Sequence, residues 1–145
     1  MALRIDGGLR RLFRQGIIRA HWKTVETGDT QSGVPDAHVT LEHESMWIEY
    51  KRTVGWSVKF QPFQVGFHLT EARHGGRTWI AVRREYAGTK KIPPADELYL
   101  VRGSAAERLR DHGLQGLSQG DLAGQWAGGP GGWDWNAVRR MLVDG

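Results

Sequence analysis

Cysteine is absent from this 145-residue chain, which excludes disulfides and thiolate metal sites. No apolar run approaches the roughly 20 residues needed to span a bilayer, so no membrane partner is expected. The opening residues MALRIDGGLRRLF lack the uninterrupted apolar segment of a secretory signal. An intracellular, cytoplasmic location is therefore expected. No internal repeat and no low-complexity tract is visible, which argues against a solenoid or a disordered tail. Residues 8–23 contain neither Asp nor Glu, a local gap that bears on the chemistry below.

The length suits one domain with a proper core, spanning residues 1–145. Twenty Lys and Arg outweigh 16 Asp and Glu, giving a formal charge of +4. The excess is uneven, with Arg10, Arg11, Arg14 and Arg19 crowded near the start. Such a balance permits contact with nucleic-acid phosphates through counterion release without requiring it. Seven Trp are many for this length, and packing in the core is the default role for each.

Leu9, Leu12, Phe13 and Ile17 recur at helical spacing and predict a first helix over 8–23, with Arg10, Arg11 and Arg14 largely off the apolar stripe. A polar connection, TGDTQSGVP, covers 27–35. HVTLE at 38–42 and MWIEYK at 46–51 alternate at period two and read as a hairpin joined by HES. WSVKF at 56–60 is a candidate third strand. A helix over 62–74 follows, with Pro62 as its first residue and Gly75-Gly76 as its stop. TWIAVRR at 78–84 and ELYLVR at 97–102 are further strands, joined by the loop AGTKKIPPAD. Ser104 and Glu107 have the spacing of a capping box for a short helix. QWAGGPGGWDW at 125–135 reads as irregular, and a last helix runs from about Trp135 to Val143. The fold class is α/β, a mixed sheet flanked by helices, with a core at about 20–102 and a C-terminal helical extension at about 104–145.

Glu49 and Lys51, two apart on a strand, project from the same face roughly 6–7 Å apart. Alone, such a pair is more often a surface ion pair worth under about 1 kcal/mol. Asp36 follows GVP at the mouth of the preceding strand. If the two strands pair as a hairpin, it returns alongside Glu49 and Lys51. Two carboxylates converging there repel unless a cation sits between them, and oxygen ligands in that number suit Mg²⁺. With a phosphodiester substrate, the metal polarises the phosphate and Lys51 stabilises developing charge.

GVPD at 33–36, followed thirteen residues later by IEYK at 48–51, resembles the PD-(D/E)XK signature of the restriction-endonuclease-like superfamily. Within it the chain is similar to the VRR-NUC and Holliday-junction-resolvase-like nucleases, especially the small phage-borne versions. The likeness covers about residues 20–102 and includes Gln64 in FQPFQVGFHL and the strand TWIAVRR after a Gly-Gly. It implies a restriction-endonuclease-like core and a metal bound by Asp36 and Glu49 with the Tyr50 backbone carbonyl. It also implies Lys51 as the catalytic lysine and Gln64 directed toward the site from the following helix. Many such relatives supply an acidic residue from the first helix. None lies within 8–23, so Glu26 is the candidate substitute, against a plain capping role.

The resemblance implies a Mg²⁺-dependent nuclease, with Mn²⁺ able to substitute, acting on branched or junction DNA. A homodimer would match the local two-fold symmetry of such a substrate. Arg10, Arg11, Arg14, His68, Lys90 and Lys91 are candidate DNA contacts, His68 because it lies four residues after Gln64 on the same helical face. The alternatives are a catalytically silent nucleic-acid-binding protein and a sequence-specific restriction-type endonuclease. The histidines His38, His43, His68 and His74 match no tight zinc-binding spacing.

Overall fold

The expected hairpin forms, with a tighter turn than its sequence suggests. In the computed structural model, which describes residues 6–25 and 33–145, β2 (Ala37–Leu41) pairs antiparallel with β3 (Glu44–Thr53). Only Glu42 and His43 lie between them, both left-handed at φ 49° and 68°. That is the backbone of a type I′ turn, whose twist matches the flanking strands. Arg139 holds the turn from outside through a 2.6 Å bond to Glu42 Oε2.

The first helix is shorter than its periodicity predicts. α1 spans Leu9–Gly16, its cap at Ile17 is extended, and Arg19 turns the chain at φ 54°. His21–Thr24 then forms β1, paired antiparallel with β2. The apolar stripe ends at Ile17, and strand pairing overrides any weak helical preference of the residues beyond it. Gly16 also sits against the Trp135 ring, where an added Cβ would come within 2.2 Å.

After β3 the segment 56–60 is not a strand. Val58 is buried, but the strand that might have received it, β4 (Thr78–Tyr86), is flanked by β3 and β5 (Ala95–Arg102) and has no free edge. Gln61-Pro62-Phe63-Gln64 forms a turn closed by a 3.2 Å bond from Gln64 N–H to the Gln61 carbonyl. Pro62 therefore sits in the turn rather than at the first helical position. α2 runs Gln64–Arg73 and stops at Gly75, φ 82°. It carries the chain over to β4, which lies parallel to β3. β5 returns antiparallel to β4.

The region beyond 104 is not purely helical. Ser104 lies in the 3-10 turn Gly103–Ala105 and makes no cap bond, so the capping box is not realised. α3 covers Ala106–His112. Leu122–Trp126 is β6, the edge strand beside β5, where sequence reading placed irregular chain from 125. Gly124 leaves room for the Trp126 ring, which an added Cβ would approach to 2.3 Å. α4 spans Trp135–Asp144, capped by Asp134, whose carboxylate accepts from Ala137 N–H at 3.0 Å.

The protein is thus a mixed α/β fold around a six-stranded mixed sheet, ordered β1-β2-β3-β4-β5-β6. Alternation gives each strand two faces. Val39, Met46, Ile48, Tyr50, Leu98 and Leu100 pack with Leu9, Phe13, Val138 and Leu142 of α1 and α4. On the opposite face Ile80, Val82, Tyr99 and Val101 pack with Val65 of α2 and Leu109 of α3. Ile48 and Tyr50 belong to the first face, so Glu49 and Lys51 project on the second, toward α2.

Candidate active site

Register brings the two carboxylates together. Ala37 is opposite Ile48, which sets Asp36, one residue earlier, level with Glu49. Asp36 Oδ2 accepts the Tyr50 backbone N–H at 2.8 Å. Glu49 is only 2% exposed. Gln64, the first residue of α2, spans both functional groups of β3. Its Nε2 donates to Glu49 Oε2 at 3.0 Å, and its Oε1 accepts from Lys51 Nζ at 2.7 Å and from Gln61 N–H at 2.6 Å. One amide thus fixes carboxylate and ammonium relative to each other. Lys51 Nζ also lies 4.6 Å from the Phe60 ring centroid.

His68, one helical turn after Gln64, is fully buried beneath Glu49. Its role as a DNA contact is corrected by that burial, since no ligand reaches it. Its Nδ1 lies 2.5 Å from Thr78 Oγ1, and its Nε2 is 3.6 Å from Glu49 Oε1. Burial, and then the nearby Lys51, push its pKa down to about 4, so the ring is neutral near pH 7. Both Nε2 and Glu49 Oε1 lack a hydrogen-bond partner.

The electrostatics of the group are those of charges brought together out of water. Burial first, and Glu49 second, raise Asp36 to about 7, against the opposing Tyr50 N–H bond. Burial raises Glu49 as well, with Lys51 opposing. Burial lowers Lys51, countered by the two carboxylates. The set is poised to share protons or to take up a cation.

These groups line an open cleft of about 970 Å³. Of the remaining candidates, Arg10 lines it as well, and its charge helps keep Asp36 from rising further. Arg11 is exposed on α1, and Arg14 bonds Thr24 Oγ1 at 2.6 Å; neither lines the cleft. Lys90 and Lys91 are exposed on the β4–β5 loop, also away from it. Arg83 and Arg84 are paired internally with Asp96 and Glu97, each at 2.8 Å. Glu26 lies outside the described residues. The Tyr50 side chain packs on the opposite face, so only its backbone bears on the site.

Asp6 is a lining carboxylate that sequence reading missed. It precedes α1, and its Oδ1 accepts Gly8 N–H at 2.8 Å. Its Asp-Gly-Gly context before a helical stripe was the available signal. Lys59 and Arg52 also line the cleft.

The donor set fits a hard divalent cation in part. Asp36 and Glu49 offer two adjacent carboxylates, with Glu49 Oε1 unsatisfied. Among the described residues no three of His, Asp and Glu gather as a metal-binding group. A closed all-protein cage is therefore not provided, whereas Mg²⁺ characteristically uses one or two carboxylates and fills its other positions with water and phosphate. Comparison with protein-family models, curated proteins and solved structures finds no match to this chain.

Proposed function

We propose that the protein is a divalent-metal-dependent nuclease of the PD-(D/E)XK type, hydrolysing phosphodiester bonds of DNA. The observation that carries this reading is the Asp36–Glu49 pair held level across β2 and β3 and clamped through Gln64 to Lys51 at an open cleft. The order of a strand pair, a Gln-bearing helix and an apolar strand parallel to the second of the pair also supports the resemblance to that superfamily.

Asp36 and Glu49 would hold Mg²⁺, or Mn²⁺ in its place, with the Tyr50 carbonyl beside them. When bound, the ion supplies Lewis acidity toward the phosphate and lowers the pKa of a water. Lys51 places a positive charge where the pentacovalent phosphate gathers negative charge. Gln64 orients both β3 side chains through its bonds to Glu49 and Lys51. Arg10 and Lys59, at the margins of the cleft, would meet the flanking phosphates without reading sequence. Branched DNA and a homodimer remain the preferred substrate and assembly of this reading.

The test is cleavage of labelled linear duplex, single strand, flap, splayed fork and four-way junction in Mg²⁺, Mn²⁺ and EDTA. Metal-dependent cutting concentrated on the branched substrates is expected. Equal cutting of every substrate would remove the branched preference. Binding without cutting in either metal would favour a silent nucleic-acid-binding protein.

A further inference from the structure

The turn that carries Gln64 holds a side chain that its backbone disfavours. Phe63 has φ 71° and ψ −11°. With Pro62 before it and the Gln64 N–H bonded to the Gln61 carbonyl, it occupies the third position of a type II turn. Glycine is the residue suited to that position, because a Cβ in the left-handed region is strained. The conformation is held from outside. Gly33 packs so close that an added Cβ would lie 2.2 Å from the Phe63 carbonyl oxygen. Yet Phe63 is 61% exposed. A strained turn therefore presents a large aromatic ring to solvent one residue from the candidate active site, where strain and exposure together point to an external ligand.

Phe63 lines a second cleft of about 420 Å³ together with Phe60, Val65, Leu69, Glu107 and Arg110. Phe60 also carries the Lys51 ammonium near its ring, and Gln61 borders both clefts. Gln61, common to both, places the second cleft beside the first at the 60–64 turn. The lining of the second cleft combines apolar and aromatic side chains with one charge of each sign.

Resting on the nuclease reading above, we infer that this cleft seats an unpaired nucleobase of the strand whose phosphate occupies the Asp36–Glu49–Lys51 site, with the base stacked on Phe63. A base in a continuous duplex enters only at the cost of unpairing and unstacking. A flap, a fork arm or a junction arm supplies a base free to swing out. Stacking is tolerant of base identity because every base offers a π-face. The seat would therefore select DNA structure rather than sequence.

The experiment is equilibrium binding in EDTA, where the DNA stays intact, of a duplex bearing an unpaired arm and a blunt duplex of equal length. The parent is compared with Phe63→Gly and Phe63→Leu, with melting and sedimentation measured for each. The parent should prefer the armed DNA. Phe63→Gly should cut that preference by about 5- to 150-fold, the range of one base–aromatic stack. Phe63→Leu should lose most of it. Because glycine relieves the left-handed strain, Phe63→Gly should melt no lower than the parent, which separates lost stacking from misfolding.

A preference unchanged in both variants overturns the inference. So does a fall in sedimenting mass on Phe63→Gly, which makes Phe63 a subunit contact. If the parent binds no DNA, this inference and the nuclease reading fall together. If the parent cuts DNA and the ratio does not move, only the base seat falls.

Discussion

Burial first, and then the neighbouring Glu49, make Asp36 hard to ionise and raise its pKa to about 7, whereas Asp36 eases the ionisation of Glu49, which burial alone opposes. The folded pKa of Asp36 is above the ordinary 3.8, so its stabilising contribution is complete below about pH 4 and lost as pH rises through about 7. His68, lowered to about 4, acts in the opposite sense, losing its contribution as pH falls from 6.5. Comparing Asp36→Asn with the parent removes most of the His68 part, because burial and Lys51 outweigh Asp36 in setting that ring's pKa. The variant should gain stability relative to the parent between pH 5 and pH 8, by up to about 3 kcal/mol, in urea titrations without metal. A pH-independent difference would contradict the coupled-carboxylate account. His68→Ala should cost about 2–4 kcal/mol, because it leaves a void beneath Glu49 and an unpartnered Thr78 hydroxyl. Lys51→Ala should retain metal binding and lose about 10²–10³ in cleavage rate, whereas unchanged kinetics would remove Lys51 from the mechanism. Much of this scale was legible beforehand. Period two sets Glu49 and Lys51 on one face, and hairpin pairing returns Asp36 to them. The burial of His68 was not legible, and the Asp-Gly-Gly context of Asp6 marked only a helix start, because the cleft itself depends on segments brought together from afar.

At the scale of elements, the parts that position the site are the β2–β3 hairpin and the turn before α2. The hairpin turn carries His43 at φ 68°. His43→Gly should raise stability by about 1 kcal/mol, measured by chemical denaturation, since glycine takes that conformation without strain. Gly33→Ala should do the reverse. Its Cβ would meet the Phe63 carbonyl, shift the start of α2 and carry Gln64 off Glu49 and Lys51. A loss of at least about 2 kcal/mol and a matching fall in cleavage is expected. The strands β2 to β5 and the helices α2 and α4 could be read from periodicity and caps. The end of α1, strand β1 and strand β6 could not. Local patterning is weak at Ile17–Thr24 and in the Gly-containing LAGQW, and the sheet edges they join decide their conformation.

For the molecule as a whole, the six-stranded sheet with helices on both faces leaves the cleft open beside the hairpin mouth. Much of the positive charge counted in the sequence is spent internally, as Arg83, Arg84 and Arg139 show. Arg52 lines the cleft but is paired with Glu85, so the cations left there, Arg10, Lys51 and Lys59, are what a phosphate backbone would meet. Among the described residues no helix is long and apolar enough to cross a membrane. The central claim is that Asp36 and Glu49 together hold the metal that hydrolyses DNA. Its most direct test is a single-turnover cleavage course of a flap substrate in Mg²⁺, with the parent, Asp36→Ala and Glu49→Ala run side by side. The account predicts cutting by the parent alone, with both variants still binding the DNA. Full cutting by either variant would contradict it.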